Sequence, residues 1–359
     1  MTVHLNRRSF LAQTVCAPWL LKNGAVLAAP CDEPRPTLDI HVHLMGIGDN
    51  GSGCRISKAL QDGAQFRYLM NLLKLRVPGK AVDTRYEEVL ADQVASCGLT
   101  KAAIIGQDAV YDTKGRPDWD RTSFYVPSDY VFDVVGRHAE TMVACPSINP
   151  ARADALDELQ RCHAKGARLI KIHPPTQGVN IADKEYARFF QCCCHLNIVV
   201  LVHTGHEHSA PVIDKNLASP RRLELALDQG CTVVACHAGT GWITDSPDQL
   251  PEFVELLKRY PKLWGDTAVL GTAGRVRDFG RLLGDREFVR SRLIHGSDFP
   301  FPANPLAFAK KIGNGAAQRL DKEGNLIKRD FALKVALGIG QASAERSHLV
   351  AGLPIRRIQ

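Results

Sequence analysis

The sequence predicts a (β/α)8 barrel, on three observations. Short apolar stretches alternate with helical ones eight times from residue 37 onward. Most of those apolar stretches are unbroken, and histidine or aspartate recurs where they end. A chain of 359 residues also suits a barrel of roughly 250 residues carrying insertions.

The predicted strands are 37–44, 101–106, 142–148, 167–173, 198–203, 231–237, 263–269 and 292–297. Runs such as Lys101-Ala102-Ala103-Ile104-Ile105 and Ile198-Val199-Val200-Leu201-Val202 have the look of parallel strands buried on both faces. Helices fill the intervals at 84–97, 127–140, 151–165, 183–195, 216–229, 248–260 and about 275–289. Asp129 lies near one helix start, and Pro150 and Pro220 lie just before or within the first turn of others. Two last helical segments, 303–312 and 329–348, close and cap the ring. Two connections are longer than a barrel needs, Met45 to about Thr84 and Gly106 to Pro127. Both follow strands, so both belong at the C-terminal mouth, as substrate lids or as subunit contacts of a homo-oligomer. Residues 37–350 therefore parse as one catalytic domain.

Ahead of the barrel lies a targeting segment. Arg7 and Arg8 precede an apolar run, Leu11 to Leu21, that is too short to span a bilayer, and small residues follow at Ala25, Ala28 and Ala29. Residues 1–28 resemble a twin-arginine signal peptide, which implies the twin-arginine export machinery as a partner and a periplasmic or secreted destination. An amphipathic helix of the fold is the competing reading, but the segment lacks a polar face and contains Pro18. No stable membrane anchor is expected.

Composition narrows the partners. Removing residues 1–28 takes away Arg7, Arg8 and Lys22 and no acid, lowering the net charge from +7 to +4. With no dense basic stretch interleaved with aromatics, nucleic-acid binding is not expected, and the partner is a small-molecule substrate. Ten cysteines follow the signal without any CxxC pair, and a chain this large needs no disulfide staples. Cys145, Cys231 and Cys236 read as small buried hydrophobes.

Chemistry concentrates at strand ends. His41 and His43 on the first strand share a face by alternation. The fourth strand ends Lys171-Ile172-His173-Pro174, the fifth His203-Thr204-Gly205, the sixth His237-Ala238-Gly239 and the eighth His295-Gly296-Ser297-Asp298. A lone histidine on an apolar strand is usually a satisfied core residue, but five such ends converging on one mouth are not explained that way. His41, His43, His203 and Asp298 offer three imidazoles and a carboxylate, a ligand set for one divalent metal, with zinc the first choice. Asp298 is the expected acid–base group for a metal-activated water, and His237 a carbonyl polariser or acid–base partner.

These motifs in this order resemble the amidohydrolase superfamily, and within it the amidohydrolase-related branch that also holds aminocarboxymuconate-semialdehyde decarboxylase-like enzymes. The resemblance covers about residues 37–348 and implies a metal-dependent hydrolase of an amide, ester or lactone-like bond. Within the same branch, a non-oxidative decarboxylase is the alternative; basic groups for a carboxylate would favour it, with Arg116 and Arg121 as candidates. A further alternative, of another class, is an inactive barrel kept as a binding protein. In binuclear members a strand-four lysine, carboxylated, bridges two metals. Lys171 holds that position, with His173 on the same face, so a second metal is the alternative to a mononuclear site.

Overall fold

Eight parallel strands form the ring: β1 (Leu38–His43), β2 (Lys101–Ile105), β3 (Met142–Cys145), β4 (Leu169–Ile172), β5 (Val199–His203), β6 (Val233–Cys236), β7 (Leu263–Asp266) and β8 (Leu293–Ile294). The structure is a computed structural model that describes residues 35–242, 244–284 and 287–354; the predicted leader lies outside them. The strands pair as two arcs, β1 to β3 and β4 to β8. At one seam Lys171 N donates to Pro146 O at 2.9 Å and Ile148 N to Lys171 O at 3.1 Å. At the other, Ile40 N donates to His295 O at 3.0 Å and His43 N to Phe299 O at 2.9 Å. These bonds close the ring.

Alternate residues divide between two cores. Leu38, Ile40, Ile105, Leu169, Leu201 and Ile294 pack in the lumen. Their neighbours Ile170, Val200, Val202 and Val233 pack outward against Phe190, Phe253 and Phe279 of the helices. Both faces are dry, which is why the strands read as unbroken apolar runs.

The surrounding helices are α1 (Val82–Ala95), α2 (Ser128–Arg137), α3 (Ala155–Ala164), α4 (Ala187–His195), α5 (Glu224–Asp228), α6 (Leu250–Arg259), α7 (Val276–Leu283), α8 (Leu326–Ala336) and α9 (Gly340–Val350). In α6 the buried set Leu250, Phe253, Val254, Leu256 and Leu257 is the stripe a 3.6-residue repeat produces. The helix expected over 216–229 is broken. Two 3-10 turns, Lys215–Ala218 and Pro220–Leu223, precede the short α5. Pro220 has no amide hydrogen to continue a helix through, and Ser219 instead caps the second turn by accepting from Arg221 N. An unforeseen helix, Asn314–Asp321, follows the expected short one ending at Ile312.

Both long connections fold over the mouth and are stitched together. Arg55–Ile56 pairs antiparallel with Phe124–Tyr125. The first connection also carries helices Lys58–Gln61 and Ala64–Leu72. Its entry is fixed by buried Asp83, whose carboxylate accepts from Ile47 N, Gly48 N and Ser52 Oγ. Asp49 in turn caps α1, accepting from Val82 N at 2.7 Å and Asp83 N at 3.1 Å. Gly46 is required beneath this knot, since a Cβ there would meet Asp83 Oδ2 at 2.7 Å. Among the described residues, no helix is long and apolar enough to cross a membrane, and the nine cysteines are free.

Asp83→Ala should strip the loop amides of their acceptor and lower the unfolding free energy by about 2–3 kcal/mol. Urea denaturation measures this, and a loss below about 0.5 kcal/mol would mean that other contacts hold the loop.

Candidate metal centre

The ends of β1 and β8 bring three donor groups together. His41 Nε2 lies 2.9 Å from Asp298 Oδ1, and His43 Nε2 lies 3.2 Å from the same oxygen. The two imidazole nitrogens are 3.2 Å apart. Asp298 reaches this point from the loop after β8, its own amide donating to His41 O at 2.9 Å. Gly296 makes the approach feasible, because a Cβ there would come within 2.7 Å of His41 Cβ. The backbone is strained at this rim: His237, Ala238, Val269 and Asp298 all take positive φ, between 51° and 66°. Such conformations cost of order 1 kcal/mol each for residues with a side chain, and they cluster where side chains must be aimed.

The geometry adds Asp266 to the set. It ends β7, wholly buried, with Oδ2 2.7 Å from His41 Nδ1. Its Oδ1 accepts from His237 N at 2.7 Å and from Ala268 N at 3.1 Å. A carboxylate only accepts, so His41 holds a proton on Nδ1, which leaves Nε2, facing Asp298, as the nitrogen that would ligate a metal once its own proton is displaced. In the sequence its one signal is an isolated aspartate closing Leu263-Trp264-Gly265-Asp266, a strand that carries no histidine.

Five imidazoles run across the mouth. Ring centroids are 5.0 Å apart from His43 to His41, 5.1 Å from His41 to His237, 4.8 Å from His237 to His203 and 4.0 Å from His203 to His173. Donor atoms of His41, His237 and Asp298 fall within 4.8 Å of one another. His203 belongs to the next group along, with His173 and Glu207. Glu207 is a residue that sequence reasoning missed; its Oε2 is 3.0 Å from His173 Nε2 and 3.7 Å from His203 Nδ1. His203 Nε2 is buried without a hydrogen-bond partner among the described residues. His237 Nδ1 faces Ala268 O at 3.3 Å, which puts its proton there and its lone pair on Nε2.

Lys171 is completely buried, with Nζ 3.1 Å from both His41 Nε2 and Cys236 Sγ. Burial opposes its charge, but Cys236, Asp266 and Asp298 outweigh that and hold its pKa above the ordinary value. His295, named with the eighth strand, does not join the mouth: its ring packs on Phe331 at 5.2 Å, on the helix side. His206 and His208 line the outer cleft, His206 against Pro247 O at 2.9 Å and His208 stacked on Trp242 at 4.4 Å. Arg116 and Arg121 pair with Asp112 and Asp118 in the second long connection and do not line the cleft.

Electrostatics suits a cation. Burial holds His43 down at about 4 and His237 at about 3, and pushes His203 well below the ordinary imidazole range. All three are neutral donors at pH 7. Asp298 is buried too, yet the His41 charge and the hydrogen bonds from His41 and His43 keep it well below the usual carboxylate range. Burial and Lys171 depress His41, but Asp266 and Asp298 raise it further, well above its ordinary value. That proton sits where a positive charge is wanted. Neutral nitrogens with anionic oxygens are the donor set divalent transition ions take, so these residues fit a metal.

A family model described as amidohydrolase matches residues 39–318 of the chain. No curated protein matches. Among solved structures, the chain is similar to an uncharacterised TIM-barrel protein from Bordetella bronchiseptica, with 17% identity, a TM-score of 0.53, and coverage of 82% of this chain and 99% of that one. It is also similar to a candidate 2-pyrone-4,6-dicarboxylic acid hydrolase from Pseudomonas putida, with 15% identity, a TM-score of 0.50, and coverage of 89% and 99%. A third likeness is to a 5-carboxyvanillate decarboxylase from Sphingomonas paucimobilis, with 11% identity, a TM-score of 0.51, and coverage of 89% and 99%. At these identities the structural likenesses speak for the barrel alone.

Asp266→Asn should free the His41 ring to rotate and weaken divalent-metal affinity about 10- to 100-fold. Chelator competition measures the affinity; an unchanged value would remove Asp266 from any role at the centre.

Proposed function

Because the chain belongs to the amidohydrolase family, we propose that it is a metal-dependent hydrolase of an amide, ester or lactone-like bond in a small molecule. The observation that carries this reading is the meeting of His41, His43 and Asp298 within 3.2 Å, with His41 fixed in its ligating tautomer by Asp266. One divalent ion, Zn2+ by ligand type, would be held by His41, His43, His203 and Asp298, the unpartnered Nε2 of His203 supplying the fourth donor. When bound there, such an ion supplies Lewis acidity and lowers the pKa of water toward neutrality.

The side chains then divide the proton work. Asp298, kept ionised, takes the proton of the attacking water and passes it to the leaving group. His237, with its lone pair on Nε2, acts as the acid–base partner; in this tautomer it has no proton with which to polarise a carbonyl. Glu207 orients His173 and the adjoining His203. Lys171, in contact with Cys236 and held as an ammonium, balances the buried carboxylates.

The runner-up within the family is a non-oxidative decarboxylase. One observation favours it: a buried cation, Arg275, lines the cleft and suits a carboxylated substrate. We also propose that the twin-arginine-type leader exports the enzyme to the periplasm or beyond. Replacing Arg7 and Arg8 by lysine should retain it in the cytoplasmic fraction, and unchanged export would refute that.

Asp298→Asn should lower kcat by at least about 1000-fold while the folded protein and its circular dichroism persist. Unchanged kinetics in that variant would sink the mechanism. ¹⁸O from labelled water should enter the product; its absence points to decarboxylation. Elemental analysis should give a metal-to-protein ratio near one, and a ratio near two brings Lys171 into the site.

A further inference from the structure

Two lobes make up the cleft, and they meet at His203, Glu207, His237 and Asp298. The first has a volume of about 810 Å³ including its open mouth. It lies beneath the long connections, against Ile56, Leu60, Phe66, Leu69, Phe124 and Val126, and among the described residues no lysine or arginine lines it. The second lobe is polar and aromatic, with His206, His208, Trp242, Asn304 and Arg275 on its walls.

Arg275 is the unusual member. It sits in the turn Ala273–Arg275 after β7 and is about 5% exposed. Its Nη1 donates to Thr240 O and to Thr240 Oγ1 at 2.7 Å, and its Nη2 to His206 O at 3.1 Å. All these acceptors are neutral. Asp298, Glu207, Asp245 and Asp278 act on it through space. Each is already engaged: Asp298 by His41, Glu207 by His173, Asp245 by His208, and Asp278 by Arg277 and Arg281. Among the described residues no carboxylate is ion-paired directly with this guanidinium; a buried guanidinium without such a pair is costly, and one held rigid by neutral acceptors is organised for an anion that arrives later.

We propose that the substrate is amphiphilic, with an apolar body in the lobe beneath the long connections and a carboxylate held by Arg275 across the reacting centre. The proposal rests on the reading of this cleft as the active site. It assigns Arg275 to specificity and leaves the reacting bond to the groups between the lobes. Planar, forked donors suit a carboxylate better than a neutral amide, which returns no charge to a buried cation.

The test is a binding measurement on the metal-replete full chain, with phenylbutyrate and its neutral analogue phenylbutyramide as probes in calorimetry. Wild type should bind the acid at least about tenfold more tightly than the amide. Arg275→Gln should weaken the acid about 10- to 100-fold and leave the amide within about threefold, with metal content unchanged. Phe66→Ala should weaken both probes alike. Equal affinity of wild type for both probes overturns the proposal. So does an acid preference that survives Arg275→Gln, because the metal would then be holding the carboxylate. If that variant does not fold, chelator-treated wild type decides: a preference retained without metal supports Arg275, and one lost refutes it. None of these measurements needs turnover, so they stand apart from a failure of the hydrolase reading.

Discussion

The 2.7 Å hydrogen bond between His41 Nδ1 and Asp266 ties the first strand to the seventh across the lumen, and the rest of the centre hangs on it. Through its other oxygen, Asp266 also fixes the turn on which His237 stands. A carboxylate buried this deeply survives as an anion because its partners outweigh the cost of leaving water; its pKa is driven far below the usual range against the pull of burial. Lys171, Asp266, Asp298 and the His41 proton form one balanced set of charges. A divalent ion on His41 would displace that proton and add one net positive charge, so metal uptake and proton release are linked here.

Much of this architecture is legible in the amino-acid sequence. Strands buried on both faces announce themselves as apolar runs, and alternation alone puts His41 and His43 on one side. Helix α6 is plain from its repeat. What escapes has a common cause. Asp266, Glu207 and Arg275 are single residues on a strand end or a turn, where no periodicity marks them, and their partners lie far away in sequence. The pairing of Arg55–Ile56 with Phe124–Tyr125 is equally non-local and only two residues long. The break before α5 is written in Pro220, whose ring suits the start of a helix and equally ends whatever precedes it. The order of the imidazoles, with His237 rather than His203 beside His41, depends on strand tilt and loop path, which a spacing cannot encode.

The two long connections bear on dynamics as well as shape. Stitched to each other and knotted at Asp83, they form a roof with internal order rather than two free loops. The apolar lobe under that roof is largely pre-formed, so a ligand entering it need not bear the entropy of folding a lid. Specificity is then set by which side chains the roof presents, Phe66 and Leu69 among them.

The seam between β8 and β1 carries a consequence of its own. His43 and Asp298 stand on opposite sides of it, 255 residues apart in the chain. An ion shared between them would act as a clasp, fastening the first strand to the last and closing a loop that contains almost the whole barrel. Cross-links over loops that long remove the most freedom from the unfolded chain. Loss of the ion would therefore lower the stability of the barrel as a whole, while the backbone bonds Ile40 N to His295 O and His43 N to Phe299 O still hold the seam.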